Sequence, residues 1–166
     1  MIERGCVMSQ KTLSKWLKWV IVGTGICALA VYLAVVPSYG ASVAARNPEF
    51  AYRYWPWLIF IWITAVPCFA AMFCGWRIAS NIGRDRSFIM DNAVLLKWIS
   101  WLAAGDAAFF FIGNVLYLAL DLSHPGVTLF SLLVVFAGVA LSVGAAALSH
   151  LVRKAAALQD ENDLTI

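Results

Sequence analysis

The firmest constraint on this chain lies between residues 98 and 151. Two apolar segments, residues 98–120 and 127–151, are separated only by Asp121-Leu122-Ser123-His124-Pro125-Gly126. Each exceeds the roughly 20 residues that a helix needs to cross about 30 Å of hydrocarbon. Six residues cannot hold a domain between them, so the pair is expected to form a tight hairpin of membrane helices. Two further apolar blocks precede it, at residues 19–36 and 55–76. None shows the two-residue alternation of a membrane strand, and in lipid the helix is the remaining way to satisfy every backbone polar group. The expected fold is therefore all-α: a polytopic membrane protein with four transmembrane helices in an up-down bundle. The helices are placed at about residues 17–37, 55–76, 92–120 and 127–158 of a single membrane domain, with a short head at 1–16 and a tail at 159–166.

Composition agrees. Only 13% of the 166 residues are charged and 63% are hydrophobic, whereas about a quarter are charged in soluble domains. The net charge is +3, but the bases flank apolar blocks instead of forming a separate patch. That pattern points to orientation in a membrane and away from direct nucleic-acid binding.

Local signals punctuate the blocks. Pro37 is expected to end the first helix. Asn47-Pro48-Glu49 reads as a helix start, with Asn47 as N-cap and Pro48 at the first position. Pro67 falls inside the second block, where a kink is expected. Gly83 is expected to break the stretch after it, and Asp91 or Asn92 to cap the third helix. A basic head before an apolar run also describes a signal peptide. The 18 apolar residues of the first block exceed the usual 7–15 of a signal core, so a retained helix is expected. Cys6 follows no apolar run, which argues against lipoprotein processing, and Met8 is an alternative translation start.

Lysine and arginine counts set the expected topology. The head holds Arg4, Lys11, Lys15 and Lys18, the second loop Arg77, Arg84, Arg86 and Lys97, and the tail Arg153 and Lys154. The first loop has only Arg46 and Arg53, and the third has none. Both termini are thus expected in the cytoplasm. The tryptophans Trp16, Trp19, Trp76, Trp98 and Trp101 would mark the inner interface. Tyr32, Tyr39, Tyr52, Tyr54, Trp55, Trp57 and Tyr117 would mark the outer one.

Asp106 is the residue best placed for chemistry. It lies roughly 12 Å inside the inner end of its helix at 1.5 Å per residue, where an ionised carboxylate costs on the order of 2.5–3.5 kcal/mol. It should face the protein interior. Residues at equal depth on the other helices are Thr24, Cys27, Thr64, Cys68 and Ser142, so Asp106, Thr24, Thr64 and Ser142 form a candidate intramembrane polar site. That site would sense protons or ions, or simply hold helices together through hydroxyl groups. Ala71 and Gly75, with Gly138, Ser142, Ala146 and Ser149, form small-residue stripes suited to close helix packing. Asp121 and His124 offer two metal donors without a third. The four cysteines have no metal or disulfide spacing. No nucleophile–base pair, zinc signature or phosphate loop is present, so neither enzyme activity nor a cofactor is expected.

The tail Leu158-Gln159-Asp160-Glu161-Asn162-Asp163-Leu164-Thr165-Ile166, the Pro125-Gly126 turn and Phe88 ahead of the third helix resemble DUF2975, a bacterial family of four-helix membrane proteins of unknown function. The resemblance covers roughly residues 77–166. Ile89 departs from it, since a serine capping the third helix would be expected there. The family implies no established activity, substrate or cofactor. Its members are often encoded beside a small helix-turn-helix regulator, which implies a cytoplasmic protein partner. Arg84, Arg86, Asp160, Glu161 and Asp163 are the candidate partner-binding residues, shared by the second loop and the tail. The expected function is a non-enzymatic membrane adaptor or sensor that engages such a regulator. The alternative is a small transporter or channel subunit working through Asp106, as a homo-oligomer.

Overall fold

A computed structural model describes residues 9–46, 48–120 and 125–163, all in helices and short connections. Among the described residues five α-helices occur in the order α1 (Gln10–Ala30), α2 (Val36–Arg46), α3 (Tyr54–Ile82), α4 (Met90–Ala119) and α5 (Pro125–Asp163). A π-helical turn, Val31–Val35, fuses α1 to α2, and a 3₁₀ turn, Pro48–Arg53, leads into α3. Four stretches of the described residues are long and apolar enough to cross a membrane: Gln10–Arg46, Ala51–Ile82, Met90–Ala119 and Gly126–Glu161. The chain is a multi-pass helical membrane protein.

The helices outrun the expected boundaries. Ser9 caps α1 by accepting from the Thr12 N–H at 3.3 Å, so the helix starts at Gln10 and carries Lys11, Lys15 and Lys18. Much of the expected head is therefore helix. Pro37 does not end the first span, which continues through Ser38–Arg46 because the π turn before it absorbs the ring. Pro48 does open a helical turn, and Pro67 lies inside an unbroken α3. Residues 159–163 of the expected tail are the last part of α5, whose Ala-Leu-Gln-Asp-Glu sequence is made largely of strong helix formers. Asn47, Asp121, Ser123, His124 and residues 164–166 lie outside the described residues.

Consecutive spans pack antiparallel. At one end, the Ser14 hydroxyl donates to the Ala79 carbonyl at 2.6 Å, and Ser87 donates to Gln10 at 2.7 Å. Gly83 allows this approach, since a β-carbon there would stand 2.6 Å from Ser14 Oγ. Lys18 lies over the Trp76 ring at 5.3 Å. Between α3 and α4, the Phe60 ring stacks on Phe110 and meets Phe109 and Tyr117, seated where Gly113 lacks a side chain.

The α4–α5 interface is the most extensive. Ser149 donates to the Ala93 carbonyl at 2.7 Å, Ser142 donates to the Ser100 carbonyl at 2.9 Å, and Gly138 lies against Ala107. On α5 the buried or half-buried positions include the run Ser131, Val135, Gly138, Ser142, Ala145, Ser149, Val152, Ala156, with Thr128 ahead of it and Ala155 beside its last member. The alternating spacing of four and three is a heptad seam, and its small side chains bring the two backbones close. The seam passes through Ala145. Ala146 is exposed.

Among the described residues the spans stand in a row. The first packs on α3, α3 on α4 and α4 on α5, and the first and last make no close backbone contact. Each helix consequently keeps a broad apolar face, with residues such as Val66, Phe130 and Phe136 about 70% exposed where lipid would cover them.

Candidate functional site

The site begins with a backbone defect. In the π turn, bonds run from each N–H to the carbonyl five residues earlier, and the Val36 N–H reaches the Val31 carbonyl in this way. The next bond in the series would run from residue 37 to the Tyr32 carbonyl. Residue 37 is proline, which has no N–H. The orphaned carbonyl takes its hydrogen bond from across the helix interface, where Trp62 Nε1–H donates to it at 3.0 Å. The Tyr32 ring turns inward, and its hydroxyl meets Thr64 Oγ1 at 3.1 Å. Tyr32 is thus held at both ends by α3.

The proton order in this chain is fixed. Thr64 Oγ1 donates its one proton to the Ile61 carbonyl at 2.7 Å. A carbonyl can only accept, so Tyr32 must be the donor to Thr64. The lone pairs of the Tyr32 oxygen remain available.

Asp106 stands near the middle of α4 on the side facing this group. It acts electrostatically on both the Tyr32 hydroxyl and the Cys68 thiol. Its Oδ1 atom is fully buried and has no hydrogen-bond partner among the described residues. Cys68 follows Thr64 by one helical turn, which puts both on one face of α3. The cluster therefore joins three spans: Tyr32 from the π turn, Thr64 and Cys68 from α3, and Asp106 from α4.

Two expected members are elsewhere. Thr24 is exposed, as is Cys27, because their side of α1 turns away from α3. Ser142 is buried in the α4–α5 seam, bonded to Ser100. Tyr32 and Trp62 were missed by reading depth alone, which assigned Tyr32 to an outer aromatic belt. The usable signal was Pro37, five residues beyond a tyrosine within an apolar block.

The candidate partner-binding residues fall at the end of the molecule that carries Ser9. Arg84 and Arg86 are exposed in the α3–α4 connection, and Asp160 and Glu161 are exposed near the end of α5. The side chain of Asp163 lies outside those described. Gly83 is not the residue that reverses the chain, since its backbone stays right-handed. The turn is a Schellman motif, with Asp85 N–H bonded to the Ile82 carbonyl and Arg86 N–H to the Asn81 carbonyl. Asp85 takes the left-handed position at φ 56°.

Asn92 locks this turn to α4. It is 1% exposed and accepts from Asn81 Nδ2 at 2.7 Å. Its own Nδ2 donates to the carbonyls of Arg86 and Ser87 at 3.0 and 2.9 Å. The expected cap at Asp91 or Asn92 is corrected, because Ile89 occupies the cap position without a side-chain bond. Asn92 holds the preceding loop instead. Among the described residues no three His, Cys, Asp or Glu side chains gather into a metal site.

Residues 38–166 match the family described as "Protein of unknown function (DUF2975)". The match reaches well upstream of the tail and turn motifs, taking in most of α2 and all of α3. The chain is also similar to the "Uncharacterized membrane protein YoaS" of Bacillus subtilis (strain 168). The two are 30% identical over 153 residues, covering 91% of this chain and 96% of that protein. No solved structure matches the chain. A family match over most of the sequence and a full-length membrane relative lead to one conclusion: the chain belongs to the DUF2975 family of membrane proteins.

Proposed function

We propose that the protein is a non-enzymatic adaptor in the bacterial cytoplasmic membrane, with both termini inside. In this reading it holds a soluble regulator on the surface made by the α3–α4 turn and the end of α5. The observation that carries the reading is the length of α5. Its 39 residues span about 58 Å at 1.5 Å per residue, nearly twice the hydrocarbon thickness. The part beyond Arg153 therefore stands in water as formed helix, presenting Asp160 and Glu161 from a fixed backbone. Arg84 and Arg86 flank an Asp85 held in a left-handed conformation. A backbone outlier of this kind is a reason to look for function at the turn. Acidic and basic side chains on formed backbone lose little freedom on binding, which favours a protein partner of mixed charge.

The test is purification in mild detergent with a helix-turn-helix regulator of the kind encoded beside family members, taken from the same genome and co-expressed. Wild type should retain the regulator. A chain truncated before Asp160, or carrying Arg84→Ala and Arg86→Ala, should lose it while melting at the same temperature. Equal recovery from all three would defeat the adaptor reading. A second reading, a transporter or channel subunit, draws support from the unpartnered Asp106 oxygen. It requires a homo-oligomer, because spans standing in a row enclose no path within one chain.

A further inference from the structure

The Asp106 cluster has a feature that helix packing does not require. A carboxyl that serves only to join helices is expected to bond a hydroxyl or carbonyl on the neighbour. Asp106 Oδ1 bonds nothing among the described residues, and Thr64 and Tyr32 are already satisfied by each other. The groups facing it are few. From the first span there is Tyr32, from α3 there is Cys68, and α5 has no titratable side chain from Val127 to Ser149. No lysine, arginine or histidine lies at this depth to balance a negative charge.

A metal cation is a poor occupant. It needs several oxygen ligands at once, and here the Tyr32 carbonyl is taken by Trp62 and Thr64 is taken by Ile61 and Tyr32. A proton needs one acceptor and one lone pair, and both are present.

We propose that Asp106 and Tyr32 form a proton-binding site inside the membrane, in which the neutral Asp106 carboxyl donates its proton to the free lone pair of the Tyr32 oxygen. Binding adds one proton to the carboxylate, and release returns it to water. The Tyr32 and Thr64 protons stay in place, donated to Thr64 and to the Ile61 carbonyl. The occupied site closes a directional chain from Asp106 through Tyr32 and Thr64 to the α3 backbone, tying three spans together. The empty site leaves a carboxylate that faces the Cys68 thiol, a weak donor. The π turn makes the site specific, because Trp62 and Thr64 fix Tyr32 at its carbonyl and its hydroxyl. The inference goes beyond the adaptor reading and stands with or without a soluble partner.

The experiment uses the full-length protein in vesicles of phosphatidylethanolamine and phosphatidylglycerol. Dicyclohexylcarbodiimide, an apolar reagent that couples to protonated carboxyls, is applied across roughly pH 5 to 9, and the adduct is located by mass spectrometry. Infrared difference spectra over the same range follow the carboxyl C=O band without relying on reagent access. Wild type should label at Asp106 along a titration curve, with a matching band that disappears in Asp106→Asn. Tyr32→Phe keeps the ring and removes the acceptor, so the midpoint should fall by about half a unit to one unit, the size of one membrane hydrogen bond. Thr64→Val serves as a second probe. It frees the Tyr32 proton to turn toward the carboxylate and should also lower the midpoint. Thr24→Val, on the exposed side of α1, should leave it unchanged. A band absent or constant across the range would overturn the proposal. So would a Tyr32→Phe midpoint that stays put or rises.

Discussion

Replacing Asn92 by alanine removes the one side chain that ties the start of α4 to the loop before it. Three hydrogen bonds go with it: one accepted from Asn81 and two donated to the Arg86 and Ser87 carbonyls. Each is worth about 1 kcal/mol net. Arg86 is exposed and its carbonyl recovers part of its loss from water, while Ser87 is half-buried. The Asn81 amide is half-buried and recovers less. The expected destabilisation is about 2–3 kcal/mol. Asn81→Ala loses only the shared bond and should cost about 1 kcal/mol. In the double-mutant cycle that bond is counted once, which gives a coupling of about 1 kcal/mol between the two positions. Asn92→Asp should be no milder than alanine, because it discards both donors and buries a carboxylate at a site 1% exposed.

The assay is unfolding in mixed micelles followed by tryptophan fluorescence, for which the chain has 8 tryptophans. It should be joined to hydrogen exchange at the amides of Arg84, Asp85 and Arg86. In Asn92→Ala those amides should exchange faster than the helix-centre amides of α3 and α4. A loss below about 0.5 kcal/mol, or a loop exchanging as in wild type, would refute the idea that Asn92 holds the turn.

Further outcomes follow from the same geometry. Asp85→Gly relieves the left-handed backbone and should raise stability by about 0.5–1 kcal/mol in the same unfolding assay. Gly113→Ala drives a β-carbon into the Phe60 ring and should cost about 1–3 kcal/mol, whereas Gly144→Ala, with open space around it, should be near neutral. Trp62→Phe leaves the Tyr32 carbonyl without its donor, at about 0.6–1.7 kcal/mol. A reporter active only outside the cytoplasm should work when fused after Arg46 and be silent after Arg86 or Asp163. Activity after Asp163 would overturn the proposed orientation.

Much of this fold is legible in the sequence because lipid allows few solutions. Long apolar blocks must be helices, and a six-residue connection must be a hairpin. Helix ends are harder to read. Pro37 looks like a stop to any rule drawn from soluble helices, and the structure shows it accommodated by a wider turn and a partner indole. Gly83 likewise looks like a breaker, but its missing side chain makes room for Ser14 and the reversal falls on Asp85. Residue depth along each helix brings Thr64, Cys68 and Asp106 to one level. It cannot give the angle around the helix. That angle sends Thr24 outward and Ser142 into the seam with Ser100. A seven-residue repeat of small side chains on α5 was present to be read, and it predicts the α4–α5 seam once Ala145 replaces Ala146 in the pattern.

The two regions of interest share one helix. Asp106 lies mid-way along α4 and Asn92 lies in its first turn, about 21 Å apart at 1.5 Å per residue. The small-residue seam binds α4 to α5 by backbone-directed serine bonds at Ala93 and Ser100, so these two helices form one closely packed pair. The interface between α3 and α4 is of another kind. It has one stacked aromatic group around Phe60, one polar clasp at Asn81–Asn92, and between them the unbonded Asp106 oxygen. If closing the Asp106–Tyr32 bond draws α4 toward α3, the first part of the chain to register the shift is the turn whose carbonyls Asn92 holds. That turn carries Arg84 and Arg86. The physical requirement is modest, because a coupling of about 1–3 kcal/mol between two sites already changes affinity 5- to 150-fold. Asn92→Ala then separates the two ideas. It should leave the Asp106 titration curve where it is and remove any dependence of regulator binding on pH.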